Sequence, residues 1–165
     1  EKMLYLRNQG RINRGSFVHP EIGYNFRITD IQAAIGLTQI DKLDFIVDKK
    51  QKLLLAYKEG LAGLDQIIIH EPETGSNHVP FRVAITALDG KDKLMNYMKE
   101  NEIETRTFFY PLHMQPCYKK YQTNDREMEV SKKLYQNGLC LPSYPSMDME
   151  KVEYVCGVIR NYYGV

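Results

Sequence analysis

The chain has 165 residues, enough for one domain of ordinary size with its own hydrophobic core. Its 22 Lys and Arg against 21 Asp and Glu leave a formal net charge of +1, so neither nucleic acid nor an anionic membrane surface is favoured as a partner. The longest apolar runs, such as Ile67-Ile68-Ile69, are far too short to cross a bilayer. No apolar segment follows Glu1, so we expect no secretory signal.

The three cysteines, Cys117, Cys140 and Cys156, are odd in number and widely spaced. They match neither the paired spacing of a zinc site nor a disulfide framework. We therefore expect reduced thiols, a cytoplasmic location and no metal centre.

A long helix is predicted to begin at Thr29. Thr29 and Gln32 have the spacing of a capping box, in which each side chain bonds the backbone amide of the other residue. Asp30 suits the positive end of the helix dipole. Apolar residues then follow helical spacing as far as Leu61. A helix over 29–62 is long for a globular domain, so it needs support from another large surface or a bend near the charged stretch 48–50.

The rest of the chain mixes short strands with helices, which indicates an α+β fold with a small antiparallel sheet. We divide the chain into a loop and tail over 1–28, the long helix over 29–62 and a small C-terminal domain over 63–165. The elements predicted within that last domain are strands at 67–69, 79–88 and 103–109, helices at 91–100, 126–137 and 148–163, and an extended crossing at 141–145.

Two hydrogen-bond donors precede the predicted long helix. Asn25 offers a neutral amide and Arg27 a permanent cation, and a helix N-terminus preceded by such groups can bind an anion, usually phosphate. A well-capped helix without a ligand is the commoner arrangement. For Arg27, a salt bridge to Asp30 or Glu21 is the other interpretation.

Three segments resemble those of one enzyme family. Residues 23–36 read GYNFRITDIQAAIG, residues 105–116 read TRTFFYPLHMQP, and residues 139–145 read LCLPSYP. In this order and spacing they are similar to segments of the DegT/DnrJ/EryC1/StrS family of sugar aminotransferases, which are fold-type I enzymes that use pyridoxal phosphate (PLP). Thr107 departs from the pattern, since the family often has Pro at that position.

The resemblance implies that this chain is the C-terminal part of such an enzyme. Residues 1–28 would then be a loop and the tail of a large domain, followed by a bridging helix and a small domain with a short antiparallel sheet. The Lys that forms the Schiff base with PLP is expected upstream of Glu1, so this chain alone is expected to be inactive. The complete enzyme is expected to be a homodimer with shared active sites.

Five residues are expected to bind cofactor or substrate, none of them as a catalytic group; for Asn25, Arg27 and His113 this follows from the resemblance, and for Tyr24 and Arg106 from the side chains themselves. Asn25 is expected to contact the PLP phosphate in the neighbouring subunit's active site, and Arg27 to add charge toward the cofactor or substrate phosphates. His113 is expected at the mouth of the active site, in contact with the sugar or amino-acid substrate. Tyr24 is expected to stack on a base or sugar, and Arg106 to bind a carboxylate or phosphate. The alternative for His113 and Tyr24 is that each only packs within its loop. The alternative for Arg106 is a solvated side chain.

Together these inferences predict the C-terminal segment of a PLP-dependent nucleotide-sugar aminotransferase. The complete enzyme would move an amino group from an amino acid, glutamate by expectation, to a keto-deoxysugar nucleotide for O-antigen or other surface-polysaccharide synthesis. Residues 76–82, SNHVPFR, resemble the perosamine synthases. Two alternatives stay open: a non-catalytic dimerisation or ligand-binding domain, and part of a PLP-dependent sugar dehydratase of the same family, in which His replaces the Schiff-base Lys.

Overall fold

The computed structural model of the protein describes residues 1–11, 18–121 and 128–165, except for the side chain of Lys119. The chain forms two compact units, Glu1–Asp44 and Phe45–Val165. The elements of the described ranges, in chain order, are helices α1 (Lys2–Arg7), α2 (Asp30–Ile40) and α3 (Leu43–Gly60), strands β1 (Ile67–Ile69) and β2 (Val83–Ala87), helix α4 (Lys91–Glu100), strand β3 (Arg106–Thr107), 3-10 helices at Leu112–Met114 and Pro116–Tyr121, helix α5 (Glu129–Asn137), strand β4 (Gly138–Leu141) and helix α6 (Met149–Tyr163).

In the unit Glu1–Asp44, the end of α1 pairs with the loop that leads to α2. Asn8 and Asn25 form an antiparallel bridge, and the Tyr24 amide donates to the Leu6 carbonyl at 2.7 Å. Gly23 is required at this crossing, because a Cβ atom there would lie 2.2 Å from the backbone nitrogen of Gly10. The pairing therefore fixes the backbone on which Asn25 stands.

The capping box at the start of α2 is confirmed. The Gln32 amide donates to the Thr29 hydroxyl at 3.3 Å, and the Thr29 amide donates to the Gln32 side-chain oxygen at 2.9 Å. These reciprocal bonds satisfy two of the amides that a helix N-terminus leaves without intrahelical partners.

The structure has two helices where the sequence predicted one over 29–62. α2 ends at Ile40 and α3 begins at Leu43, whereas the charged stretch 48–50 lies inside regular α3. Near the break, the Thr38 hydroxyl donates to the Ile35 carbonyl at 2.8 Å, a back-bond that often bends helices. The Lys42 amide bonds the Gln39 carbonyl, three residues back, so the last turn is tightened. The predicted domain limits at 28 and 62 stay a prediction.

The unit Phe45–Val165 is built on a four-stranded antiparallel sheet in the order β1-β2-β4-β3. Alternate residues of β2, namely Val83, Ile85 and Ala87, are fully buried, and Leu139 of β4 lies opposite Ile85 on the same face. Residues of α3, α4 and α6 complete this core, among them Leu53, Tyr57, Leu94, Met98, Val155 and Ile159. The predicted α+β class with an antiparallel sheet is confirmed.

Several element bounds differ from the prediction. β2 covers only Val83–Ala87 and β3 only Arg106–Thr107, so both are shorter than the predicted 79–88 and 103–109. β4 was not predicted, because its short apolar run continues directly into the Pro-bounded crossing at 141–145. Helix α4 has the predicted bounds. The start of the predicted helix 126–137 falls outside the described residues, and α5 begins at Glu129.

Candidate functional site

The loop before α2 carries Asn25 and Arg27 on a fixed backbone. The Asn25 side chain is exposed and makes no hydrogen bond within the part of the chain that the structure describes. The Arg27 guanidinium donates to the Asn8 side-chain oxygen at 3.3 Å. Neither Asp30 nor Glu21 pairs with Arg27 among the described residues, and Glu21 instead pairs with Lys2. The salt-bridge interpretation of Arg27 was therefore wrong.

Tyr24 stacks on Phe26 within the same loop. The two ring centroids are 5.0 Å apart and the planes differ by 4°. Both rings are largely exposed, so one face of the pair stays open to a ligand or a protein surface. Loop packing of Tyr24 is thus observed, and its contact with a base or sugar stays a prediction.

The donors of this loop suit a phosphate group. A phosphate oxygen accepts hydrogen bonds from an amide and a guanidinium, and Asn25 and Arg27 supply one of each within three residues. The capping box already uses the Thr29 and Gln32 amides. The side chains of Asn25 and Arg27, rather than the whole α2 N-terminus, are therefore the donors that this loop offers, and their contact with the PLP phosphate stays a prediction.

His113 lies in the unit Phe45–Val165, in the 3-10 helix Leu112–Met114. The ring is half-buried, and its Nε2 atom is buried without a hydrogen-bond partner among the described residues. Buried polar atoms in folded proteins nearly always have partners. This nitrogen is therefore available to a polar group other than the described residues, and the substrate contact of His113 stays a prediction.

Arg106 lies in β3 of the same unit and lines a groove that sequence reasoning missed. Its guanidinium is 3.2 Å from the Glu104 carboxylate. The groove, with a cavity volume of about 740 Å³, is also lined by Lys50, Arg82 and Lys151. We call it the basic groove. Its cations come from four separate elements or loops, so no local pattern in the sequence could have predicted it.

The five predicted site residues therefore fall into two groups. Tyr24, Asn25 and Arg27 lie together in Glu1–Asp44, whereas Arg106 and His113 lie in Phe45–Val165. Arg106 lines the basic groove and His113 does not. Within the described ranges, no three His, Cys, Asp or Glu side chains cluster as a metal site.

The sequence profile of the DegT/DnrJ/EryC1/StrS aminotransferase family matches residues 1–160, nearly the whole chain. This chain belongs to that family. The resemblance carried by the three segments is thereby confirmed. Aminotransferases of this family use PLP, which confirms the cofactor predicted for the complete enzyme.

Curated relatives of the chain include two GDP-perosamine synthases. The Vibrio cholerae protein is 33% identical over 168 residues, which cover 99% of this chain and 45% of that protein. The Escherichia coli O157:H7 protein is 33% identical over 166 residues, covering 99% of this chain and 44% of that protein. The chain thus spans about half the length of the relatives it matches.

Solved structures of the family share the fold. DesV from S. venezuelae superimposes with a TM-score of 0.87 at 23% identity, over 98% of this chain and 43% of that one. A DegT/DnrJ/EryC1/StrS aminotransferase from Brucella abortus superimposes with a TM-score of 0.82 at 24% identity. The match covers 99% of this chain and 42% of that one. These matches confirm that the architecture is that of part of a PLP aminotransferase. No helix in the described ranges is long and apolar enough to span a membrane.

Proposed function

We propose that this chain is the C-terminal segment of a PLP-dependent nucleotide-sugar aminotransferase. The observation that carries the proposal is the loop before α2, where Asn25 presents an unbonded amide beside Arg27 within a segment that belongs to this family. The GDP-perosamine synthase relatives favour a GDP-linked keto-deoxysugar as the amino acceptor. We further propose glutamate as donor, a cytoplasmic enzyme and a product used for O-antigen or another surface polysaccharide.

The residues of this chain would bind and orient rather than carry out bond-making steps. The Asn25 amide and the Arg27 guanidinium would each donate to the cofactor phosphate, while the capped start of α2 keeps their backbone in place. When bound, PLP supplies the electron sink that makes amino-group transfer possible. His113 Nε2 would bond a polar group of the substrate, and Tyr24 would offer the open face of its stack to a sugar or base.

A homodimer with shared active sites is part of the proposal. It is supported by the apolar side chains of α2, a helix without a buried residue. Ile31 is 76% exposed, Ile35 60% and Ile40 66%. Ile31 and Ile35 lie one turn apart on the same face of α2, and exposed apolar side chains of this kind often mark a contact with another protein surface. We also keep the domain limits as a proposal, with 29–62 linking a large domain to the small domain 63–165.

Substitution of Asn25 in the complete enzyme tests the phosphate contact. We expect Asn25→Ala to weaken PLP binding by about tenfold, since one hydrogen bond to a charged phosphate contributes roughly 1.5–3 kcal/mol. PLP affinity is measured by absorbance titration of the apoenzyme. Asn161→Ala, at an exposed position of α6, is the matched control and should bind PLP like the wild type. Unchanged affinity in Asn25→Ala would contradict the assignment.

A further inference from the structure

Helix α4 begins with a buried lysine. Lys91 is only 5% exposed, and lysine is almost never fully buried unless its charge is paired. Among the described residues, the nearest carboxylate is that of Asp92, whose Oδ1 atom lies 4.0 Å from the Lys91 Nζ atom and whose side chain is 90% exposed. A pair so long and so exposed contributes little. Other groups must therefore compensate the charge of Lys91.

The compensating groups belong to the end of α5. The Lys91 ammonium donates to the Tyr135 carbonyl and, at 3.0 Å, to the Gln136 carbonyl. Carbonyls in the last turn of a helix have no intrahelical partner, and they form the negative end of the helix dipole. The ammonium also lies 4.5 Å from the centroid of the Tyr135 ring, within the range of a cation–π contact. Lys91 thus holds both the backbone and the side chain of Tyr135.

The loop after β3 rests on this same junction of α5 and β4. At the start of the loop, the Phe108 amide donates to the Gly138 carbonyl at 3.3 Å. The Phe108 ring also covers Gly138, since a Cβ atom at Gly138 would lie 2.4 Å from that ring. Further along, the Tyr110 ring meets the Tyr135 ring edge-on, with the centroids 5.1 Å apart and the planes at 80°. The end of α5 therefore supports the loop at two points.

A short and stiff connection joins Tyr110 to His113. Pro111 comes next, and its ring fixes the backbone angle φ. The Pro111 carbonyl accepts from the Met114 amide at 3.0 Å, which closes the 3-10 turn around His113. A displacement of the Tyr110 ring is therefore carried to the imidazole, whose Nε2 atom is buried without a partner among the described residues.

We propose that Lys91 is a positioning residue for His113. By holding the C-terminal end of α5, Lys91 fixes the Tyr135 ring on which Tyr110 packs, and so determines where the His113 Nε2 atom lies. Lys91 acts through these contacts and not by touching the substrate. The consequence for the substrate rests on the proposed function, in which His113 bonds a polar group of the substrate; the positioning itself does not.

Hydrogen exchange of the complete enzyme, resolved to single amides by mass spectrometry, tests the positioning without any substrate. The probes are the Met114 and Gln115 amides, which bond within the turn at 3.0 and 3.1 Å. We expect Lys91→Met to speed their exchange by about tenfold, because local opening needs less free energy once the Lys91 contacts are lost. The amides of β2 should keep their wild-type rates. Lys99→Met, which removes an equal charge from an exposed position of α4, is the matched control and should exchange like the wild type.

Variants of Tyr135 connect the effect to the ring contact. Tyr135→Leu removes the ring that lies between Lys91 and Tyr110, and should speed exchange of the same amides. Tyr135→Phe retains the ring, and the Tyr135 hydroxyl makes no hydrogen bond among the described residues, so this variant should behave as the wild type. Lys91→Met combined with Tyr135→Leu should exchange no faster than the faster single variant. If Lys91→Met fails to fold, Tyr135→Leu still decides, because it leaves both carbonyl bonds of Lys91 in place.

Steady-state kinetics tests the consequence for the substrate. In Lys91→Met, KM for the GDP-linked keto-deoxysugar should rise by about tenfold, with a smaller change in kcat. Lys91→Arg retains a cation with donors for the two carbonyls, so its KM should lie closer to that of the wild type. In the His113→Ala enzyme, adding Lys91→Met should leave KM unchanged, because the nitrogen that Lys91 positions is gone.

Three results would overturn the proposal. The first is wild-type exchange of the Met114 and Gln115 amides in Lys91→Met and Tyr135→Leu. The second is equal acceleration of the β2 amides, which would mean that Lys91 only stabilises the fold. The third is an undiminished effect of Lys91→Met on KM in the His113→Ala enzyme. If exchange changes as expected but His113→Ala has the KM of the wild type, the positioning stands and the substrate contact in the proposed function is wrong.

Discussion

Glu102→Gly is expected to stabilise the protein, although it removes a side chain. Glu102 has φ of +59°, in the left-handed region that a Cβ atom disfavours. It follows α4 in a Schellman motif, in which the Ile103 amide donates to the Met98 carbonyl at 2.9 Å and the Glu102 amide to the Lys99 carbonyl at 3.1 Å. Gly is the residue usually found at this position.

The expected gain is the difference between two terms. A non-Gly residue in the left-handed conformation costs roughly 1–2 kcal/mol, whereas Gly increases the entropy of the unfolded chain at a cost of about 0.4–1 kcal/mol. The Glu102 side chain is exposed and makes no hydrogen bond or ion pair with the described residues, so no contact is lost. The free energy of unfolding should therefore rise by about 0.5–1 kcal/mol, or Tm by roughly 2 °C.

Urea unfolding of this chain, followed by far-UV circular dichroism, measures the change. Glu102→Ala is the control for charge, because it removes the carboxylate but retains the Cβ atom, and it should not stabilise. Glu100→Gly is the control for position, because Glu100 ends α4 with helical geometry, and it should destabilise. If Glu102→Gly is no more stable than the wild type, or if Glu102→Ala is equally stabilising, the backbone-strain argument is wrong.

Three further predictions concern the core of Phe45–Val165. Tyr57→Phe should lower the free energy of unfolding by about 1–2 kcal/mol, since the buried Tyr57 hydroxyl donates to the Pro142 carbonyl at 2.8 Å; a loss below about 0.3 kcal/mol in urea unfolding would contradict this. Gly60→Ala should destabilise despite the higher helix propensity of Ala, because the new Cβ would lie 2.5 Å from Cys156 Sγ. Gly157→Ala in α6, where a new Cβ atom would meet nothing within 4 Å, should instead raise the free energy of unfolding by up to about 1 kcal/mol. If both glycine variants change the free energy of unfolding in the same direction, the packing argument is wrong. Burial raises the pKa of Cys156 to about 11 from its ordinary value of 9.0. As the pH rises, the unfolded chain therefore loses this proton before the folded chain does, and the free energy of unfolding should fall between about pH 9 and pH 11. Cys156→Ala should flatten that part of the pH profile, and an unchanged slope would argue against the assignment.

The elements that the sequence predicted well depend on neighbours along the chain. The capping box needs only Thr29 and Gln32, three residues apart, and the structure has both of its hydrogen bonds. Helix α4 combines an amphipathic pattern with glycine before it, and its bounds agree with the prediction. The family segments are likewise contiguous strings, so they identified the family and its cofactor before any contact between distant residues was known.

The misplaced elements depend on partners that a single sequence does not display. β4 has only four residues and exists because β2 and β3 bond it from both sides. The interruption between α2 and α3 follows from local hydrogen bonds at Thr38 and Lys42 that the apolar periodicity does not reveal. Arg27 was assigned the wrong alternative partner, since its bond to Asn8 requires the chain reversal that brings Asn8 beside Asn25.

The sequence by itself determined the family, the PLP cofactor that belongs to it, the α+β class and the capped start of α2. It could do so because each of these features depends on residues that are adjacent in the chain or one helical turn apart. Only the tertiary structure decided that Lys50, Arg82 and Arg106 share one groove. The physical reason is that strand register and the packing of α3 set which side chains face each other, and both arise from contacts between residues far apart in the chain.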